Sequence, residues 1–232
     1  MVGGPHSFRS GPPEREAMAI EALAHRLAAM LAQELSLSDD DREIAAFALH
    51  GIFSVSFYLA TLLVTGWILG LLGSAVMVAV TVGVLRTFMG GAHASTAWRC
   101  GITGATLMNL GAWAARELQG MAVLQNVEVQ LGGALLSAAA ALLAIHLYCP
   151  ADVPAKPITD PRQRKRLRRI SRWLVAGAWL PLMVIAATRG WADLYFSATA
   201  GLWIQLLLVT PVGFVWSERL DGYLTKLMRK EE

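Results

Sequence analysis

Charge is scarce in this chain and absent from long stretches of it. Only 16% of its 232 residues are Asp, Glu, Lys or Arg, against 55% apolar, whereas soluble domains average about a quarter charged. Residues 44–85 carry no charged side chain over 42 positions, and 129–151 and 194–217 add bare runs of 23 and 24. A membrane-crossing helix needs about 20 apolar residues, so the first run holds two spans and a solvated globule is excluded. Cysteine is also rare: Cys100 and Cys149 cannot build a disulfide framework. Residues 1–16 are polar and rich in Gly and Pro, without the apolar core of a secretory signal. The net charge of +3 and pI near 9.1 would suit nucleic acid. The excess base falls in segments between spans, however, where it orients a protein in a bilayer. The partner read from composition is therefore lipid, not nucleic acid.

One membrane domain with tails accounts for the length: 1–38 as a tail and amphipathic helix, 39–216 as six helices, and 217–232 as a C-terminal tail. From Glu14 to Leu35 the apolar positions Ile20, Leu23, Leu27, Leu31 and Leu35 share a stripe. Two readings stand for it, a helix on the protein's own cytoplasmic face or one lying on lipid. Ser38 followed by Asp39, Asp40 and Asp41 is helix-start chemistry. Gly70 and Gly73-Ser74 are the best breakers of the long bare run. Spans are expected near 44–69, 74–88, 95–115, 128–148, 172–188 and 193–216, the fifth kinked or tilted by Pro181. Of the 20 Lys and Arg, 18 then fall on one side and only Arg116 and Arg189 on the other. That split predicts an all-α, multi-pass cell-membrane protein of about six transmembrane helices with N- and C-termini cytoplasmic. The basic residues of 162–172 read as a headgroup anchor, or as a surface for an acidic substrate. Gly66 and Gly70 match a small-residue packing motif that packing within the subunit explains equally well.

Chemistry concentrates in the cytoplasmic turn between the second and third spans, where Arg86, Gly90, Gly91, His93, Arg99 and Cys100 fall within 15 residues. A thiol becomes a useful nucleophile as thiolate, which a neighbouring base and positive charge promote. His93 is the candidate base, and Arg99 stands beside Cys100. On one straight helix His93 and Cys100 would lie ~10 Å apart along the axis, so His93 is expected in a bend that Gly90-Gly91 permits. First-turn amides of the following helix could then contribute to an oxyanion hole. The residues alone leave open a structural His and a Cys acting as a small hydrophobe.

Arg86, the string Gly90-Gly91-Ala92-His93 and Cys100 seven residues further on resemble the signature of the accessory gene regulator B (AgrB) family, membrane cysteine endopeptidases of peptide quorum sensing. The stretch Tyr148-Cys149-Pro150-Ala151-Asp152-Val153-Pro154-Ala155-Lys156-Pro157, followed by a basic run, resembles that family's second motif at the matching place. The resemblance implies cleavage of a short AgrD-type propeptide through an acyl-enzyme on Cys100, with His93 as base and cyclisation to a thiolactone or lactone. It further implies supporting roles for Arg86 and Gly91 and a homodimeric assembly; Gly90 and Arg99 are set beside them as supporting residues. The mechanism calls for no metal and no cofactor. Cys149 stands where Ala is common in that motif and reads as a bystander. No third residue is evident to orient His93; Asn109, Gln130 and Gln205 are candidates that also suit helix–helix hydrogen bonding.

Two alternatives remain. His50, His93, Cys100, His146 and Cys149 all fall near cytoplasmic span ends and could bind a metal, although no carboxylate base of the His-Glu-x-x-His kind accompanies them. A small-solute or peptide transporter is the other, against which stand span interiors without charge beyond Cys100.

Overall fold

A computed structural model describes residues 15–92, 96–151 and 158–228, and among these the chain is helical with no strand. Lipid offers a backbone no hydrogen-bond partners, so each span must satisfy its own amides. Helix α1 (Arg15–Leu35) precedes α2 (Asp39–Ile68), which opens where Ser38 Oγ accepts the Asp41 N–H at 3.2 Å. Three aspartates in the first turn of α2 complement the helix dipole there. The chain turns at Gly70 (φ +66°) into α3 (Leu72–Met89), so Gly73 and Ser74 lie inside that helix rather than in the break. Then come α4 (Ala97–Gln119), a 3₁₀ turn (Ala122–Gln125), and α5 (Val127–Tyr148), capped by Asn126 Oδ1. Helices α6 (Pro161–Trp173) and α7 (Leu180–Arg189) are joined without a break by a π-helical turn (Leu174–Trp179). Helices α8 (Ala192–Val209) and α9 (Pro211–Met228) complete the order.

Five helical stretches are long and apolar enough to cross a membrane: Asp39–Ile68, Leu72–Met89, Val127–Tyr148, Pro161–Arg189 and Ala192–Val209. Helix α4 has the length, 23 residues or ~35 Å, but carries Arg99 near its start and Arg116 and Glu117 near its end.

Three elements add to or differ from the hydropathy pattern. The connection read as 149–172 is helical from Pro161, because Asp160 Oδ1 caps the Arg162 N–H at 2.8 Å and proline suits the first helical position. Pro181 does not break its span. The wide π-turn just ahead shifts the hydrogen-bond register, and the helix runs on. The last span stops at Val209, because the extended Thr210 and Pro211 end one helix and begin the next.

Large apolar side chains face outward along the bundle: Phe47, Trp67, Ile68 and Leu136 are each more than two-thirds exposed, as surfaces bathed in lipid should be. Helix association then rests on close packing and a few polar contacts rather than on expulsion of water. Helix α8 is the centre, packing against α3, α4, α5, α7 and α9. One core lies among α2, α3 and α4 around Leu62, Val78 and Met108, and the other joins α5, α7 and α8 around Ile145, Met183 and Leu202. Asn109 Nδ2 donates to Thr65 Oγ1 at 2.9 Å, Trp203 Nε1 to Ser137 Oγ at 3.1 Å, and the Tyr195 hydroxyl to the Gln130 carbonyl at 2.6 Å. Gly66 abuts Asn109 and Ala75 within the chain, while Gly70 is the turn residue of α2–α3. Helix α1 lies along α2 and α4 with Ala24 and Ala28 buried, while Leu23, Leu31 and Leu35 of the predicted stripe point outward.

Candidate functional site

Helix α3 ends where its sequence runs out of residues with side chains. The Gly90 N–H closes the last turn on the Arg86 carbonyl, and Gly90 (φ +74°, ψ −153°) and Gly91 (φ +136°) then take conformations that L side chains avoid. A Cβ on Gly90 would also collide with the Ala151 carbonyl. Four contacts hold this turn. The Ala151 N–H donates to the Met89 carbonyl at 2.8 Å and the Ala92 N–H to the Leu208 carbonyl at 2.9 Å. Gln205 Nε2 donates to the Gly90 carbonyl at 2.8 Å, and the Arg86 guanidinium donates to the Ala92 carbonyl. The described ends of the two sequence motifs, 60 residues apart, thus meet in space, while Asp152–Pro157 of the second lie outside the described residues. Gly90 and Ala151 form an isolated parallel bridge.

His93, with Ala94 and Ser95, lies outside the described residues. The chain is described again at Thr96, whose extended backbone precedes α4. Cys100 follows at the end of that helix's first turn and is half-buried. Its N–H donates to the Thr96 carbonyl at 3.0 Å, so any oxyanion donors from this helix come from earlier amides. Arg86 from α3 and Tyr58 from α2 both lie within electrostatic reach of Cys100. Gly101 and Gly104 let α2 approach: their missing Cβ atoms would fall 2.8 Å from the Phe57 ring and 3.2 Å from the Tyr58 ring. Tyr58 escapes sequence reasoning because it sits in a featureless apolar run more than 40 residues upstream. The only trace is the pair of glycines three apart on the facing helix.

Arg99 points elsewhere. Its side chain is 3% exposed and Nη1 meets Asp221 Oδ1 of α9 at 3.1 Å, with the guanidinium carbon 5.6 Å from the Trp98 ring centroid. Cys149 is buried, its Sγ 3.6 Å from the Met89 carbonyl. Burial pushes its thiol up to about 12, with Arg168 acting weakly in the other direction. Arg168 Nε donates to the Cys149 carbonyl at 2.8 Å, a tie that a charge count over the basic segment does not reveal. His146 Nδ1 lies 3.4 Å from Arg172. Among the described residues, no group of three or more His, Cys, Asp or Glu could hold a metal. Asn109 and Gln130 serve helix–helix and local contacts, whereas Gln205 reaches the site's own turn. A groove of about 650 Å³ between α2 and α4 begins near Ile102 and runs past Asn109 and Trp113 to Arg116.

Fold and site together define a helical multi-pass membrane protein that gathers an arginine, a glycine turn and a cysteine at one end of its bundle. The chain belongs to the Accessory gene regulator B (AgrB) family, whose model matches residues 24–209. It is similar to AgrB-like protein 2 of Clostridium perfringens strain 13, at 19% identity, and to an AgrB-like protein of C. perfringens strain SM101, at 18%. Each comparison covers 90% of this chain and all of the relative. No solved structure matches. Membership makes this a membrane protein of accessory-gene-regulator quorum sensing, a system that processes a propeptide.

Proposed function

We propose that the protein is a cysteine endopeptidase that cleaves an AgrD-type propeptide through an acyl-enzyme on Cys100. His93 takes the Cys100 proton, and the thiolate attacks the scissile carbonyl. Collapse of the tetrahedral intermediate breaks the C–N bond, His93 returns the proton to the leaving amine, and a thioester remains on Cys100. A Cys or Ser side chain within the bound peptide then attacks that thioester, closes a thiolactone or lactone and releases Cys100. A site sheltered at the membrane edge favours this ring closure over attack by water.

The observation that carries this reading is the double engagement of Arg86. Its guanidinium bonds the carbonyl of Ala92, the residue before His93, and lies within electrostatic reach of Cys100. One cation is therefore tied to the backbone just before the base and acts electrostatically on the nucleophile, a place suited to steadying negative charge as it develops. The 18-to-2 split of Lys and Arg supports six spans with α4 among them, both termini cytoplasmic and the site at the cytoplasmic leaflet. The exposed cations of α6 suit the acidic tail of a precursor held on the same leaflet. A homodimer is the assembly expected from the family.

The test is intact mass of the purified protein incubated with the candidate precursor encoded beside its gene. A thioester adduct on wild type and Cys149→Ala, absent from Cys100→Ala and His93→Ala, is the expected result. Precursor cleaved equally by Cys100→Ala would overturn the mechanism.

A further inference from the structure

Gln205 is fully buried in α8, yet only one end of its amide has a partner among the described residues. Nε2 donates to the Gly90 carbonyl at 2.8 Å, while Oε1 is buried and unbonded. A residue that merely filled this space would not be an amide. Leu or Met has similar bulk, and neither leaves a buried oxygen bare. The recipient is equally telling. Gly90 is the residue of strained backbone from which the chain leaves α3, three positions before His93. Three residues further along α8, the Leu208 carbonyl accepts the Ala92 N–H at 2.9 Å. Two successive points of one helix turn therefore grip alternate residues of the turn, and Arg86 grips the Ala92 carbonyl from α3. Helix α8 is the central helix of the bundle, which makes it a rigid reference for that grip.

We propose that Gln205 is a positioning residue of the site: through the Gly90 carbonyl it fixes the glycine turn from which the chain runs on to His93. The proposal rests on the peptidase reading above and adds a residue to it from a helix more than 100 positions away in sequence. Near-attack geometry tolerates little error, so freeing one end of this turn lowers the rate without altering how the precursor is held.

The experiment uses full-length protein in lipid nanodiscs, in a Cys149→Ala background so that only one thiol remains. Two quantities are read for Gln205→Met and Gln205→Leu, the first quantity also in combination with His93→Ala and the second in the presence of His93 only. They are the iodoacetamide alkylation rate of Cys100 without peptide, and kcat and KM for precursor cleavage. Gln205→Met is expected to lower kcat and alkylation by about tenfold or more, with KM unchanged. In the His93→Ala background the alkylation rate should fall no further, because the group Gln205 positions is gone. Loss of equal size in both backgrounds would show a merely structural role and overturn the proposal. So would wild-type kcat in both variants. Should Gln205→Met not fold, Gln205→Leu decides: it keeps similar bulk without any donor, and it too must slow alkylation only where His93 is present. Cleavage that survives Cys100→Ala would instead remove the peptidase reading, and this proposal with it.

Discussion

The Ala151 N–H donates to the Met89 carbonyl at 2.8 Å, while the Cys149 Sγ lies 3.6 Å from that same oxygen. One carbonyl at the end of α3 thus receives the second motif, and Gly90, the next residue, carries the strain of the reversal. The Gly90 turn has no room for a side chain because the segment after α5 already fills that space.

Gly90→Ala is the direct test of that contact. A methyl group would collide with the Ala151 carbonyl and force a positive φ on an L residue, at about 1–3 kcal/mol for the backbone alone. The variant should insert in the membrane and keep its helices but lose precursor cleavage and alkylation of Cys100. Normal cleavage by Gly90→Ala would separate the turn from the chemistry.

Arg99 and Asp221 offer a separation of roles. Removing either partner of so buried a pair should destabilise by about 3–5 kcal/mol, seen as a lower detergent unfolding midpoint for Arg99→Met or Asp221→Leu. The double variant should recover much of that loss. If Arg99 only fastens α9 to α4, the double variant also regains cleavage. Restored stability with cleavage still absent would place Arg99 in the chemistry of the thiol.

Cys149 should be silent to alkylating reagents. With its thiol pushed up to about 12, the reactive thiolate at pH 8 is on the order of one part in ten thousand. Raising the pH increases that fraction tenfold per unit, so labelling of the folded protein should grow steeply only in strong base. Mass mapping after brief treatment at pH 8 should find the label on Cys100, and Cys149→Ala should cleave its precursor normally.

Tyr58→Phe keeps the ring against Gly104 and removes only the hydroxyl. The expected outcome is an unchanged unfolding midpoint with kcat lower by about tenfold, the scale of one hydrogen bond. Unchanged kcat would leave Tyr58 as packing for the α2–α4 contact.

The cations of α6 divide into two kinds. Arg162, Arg166 and Arg169 are exposed, and their neutralisation should raise KM for a precursor with an acidic tail. That effect should shrink as salt is added. Arg168 is half-buried and bonds the Cys149 carbonyl, so Arg168→Gln should lower kcat at any ionic strength.

Much of this molecule is legible in its sequence because membrane physics writes large. Charge-free runs place the spans, Ser38 marks the start of α2, and Gly90-Gly91 marks the turn after α3. What escapes is what hydropathy cannot weigh. Residues 161–173 are helical but basic, so a search for apolar spans assigns them to a connection. The π-turn ahead of Pro181 is likewise invisible, because no sequence rule places it. In the site, Arg86 and Cys100 stand out by residue type. Tyr58 and Gln205 do not, since a phenol or an amide in an apolar span usually serves only its neighbours. Their place about the site depends on helix phase and on which helices touch, which only the folded chain reveals.

The unbroken run from Pro161 to Arg189 has a mechanical consequence. Charges on a slack connection would sweep a wide volume, and every ligand would have to arrest that sweep on binding. Here the cations are mounted on the prolongation of a membrane-crossing rod, stepped around it at helical intervals and braced by Arg168 against the segment that touches the Gly90 turn. Their bearing is set before anything arrives. A flexible acidic partner bound there, as proposed, would meet charge already in place, and most of the ordering cost of capture would fall on the partner.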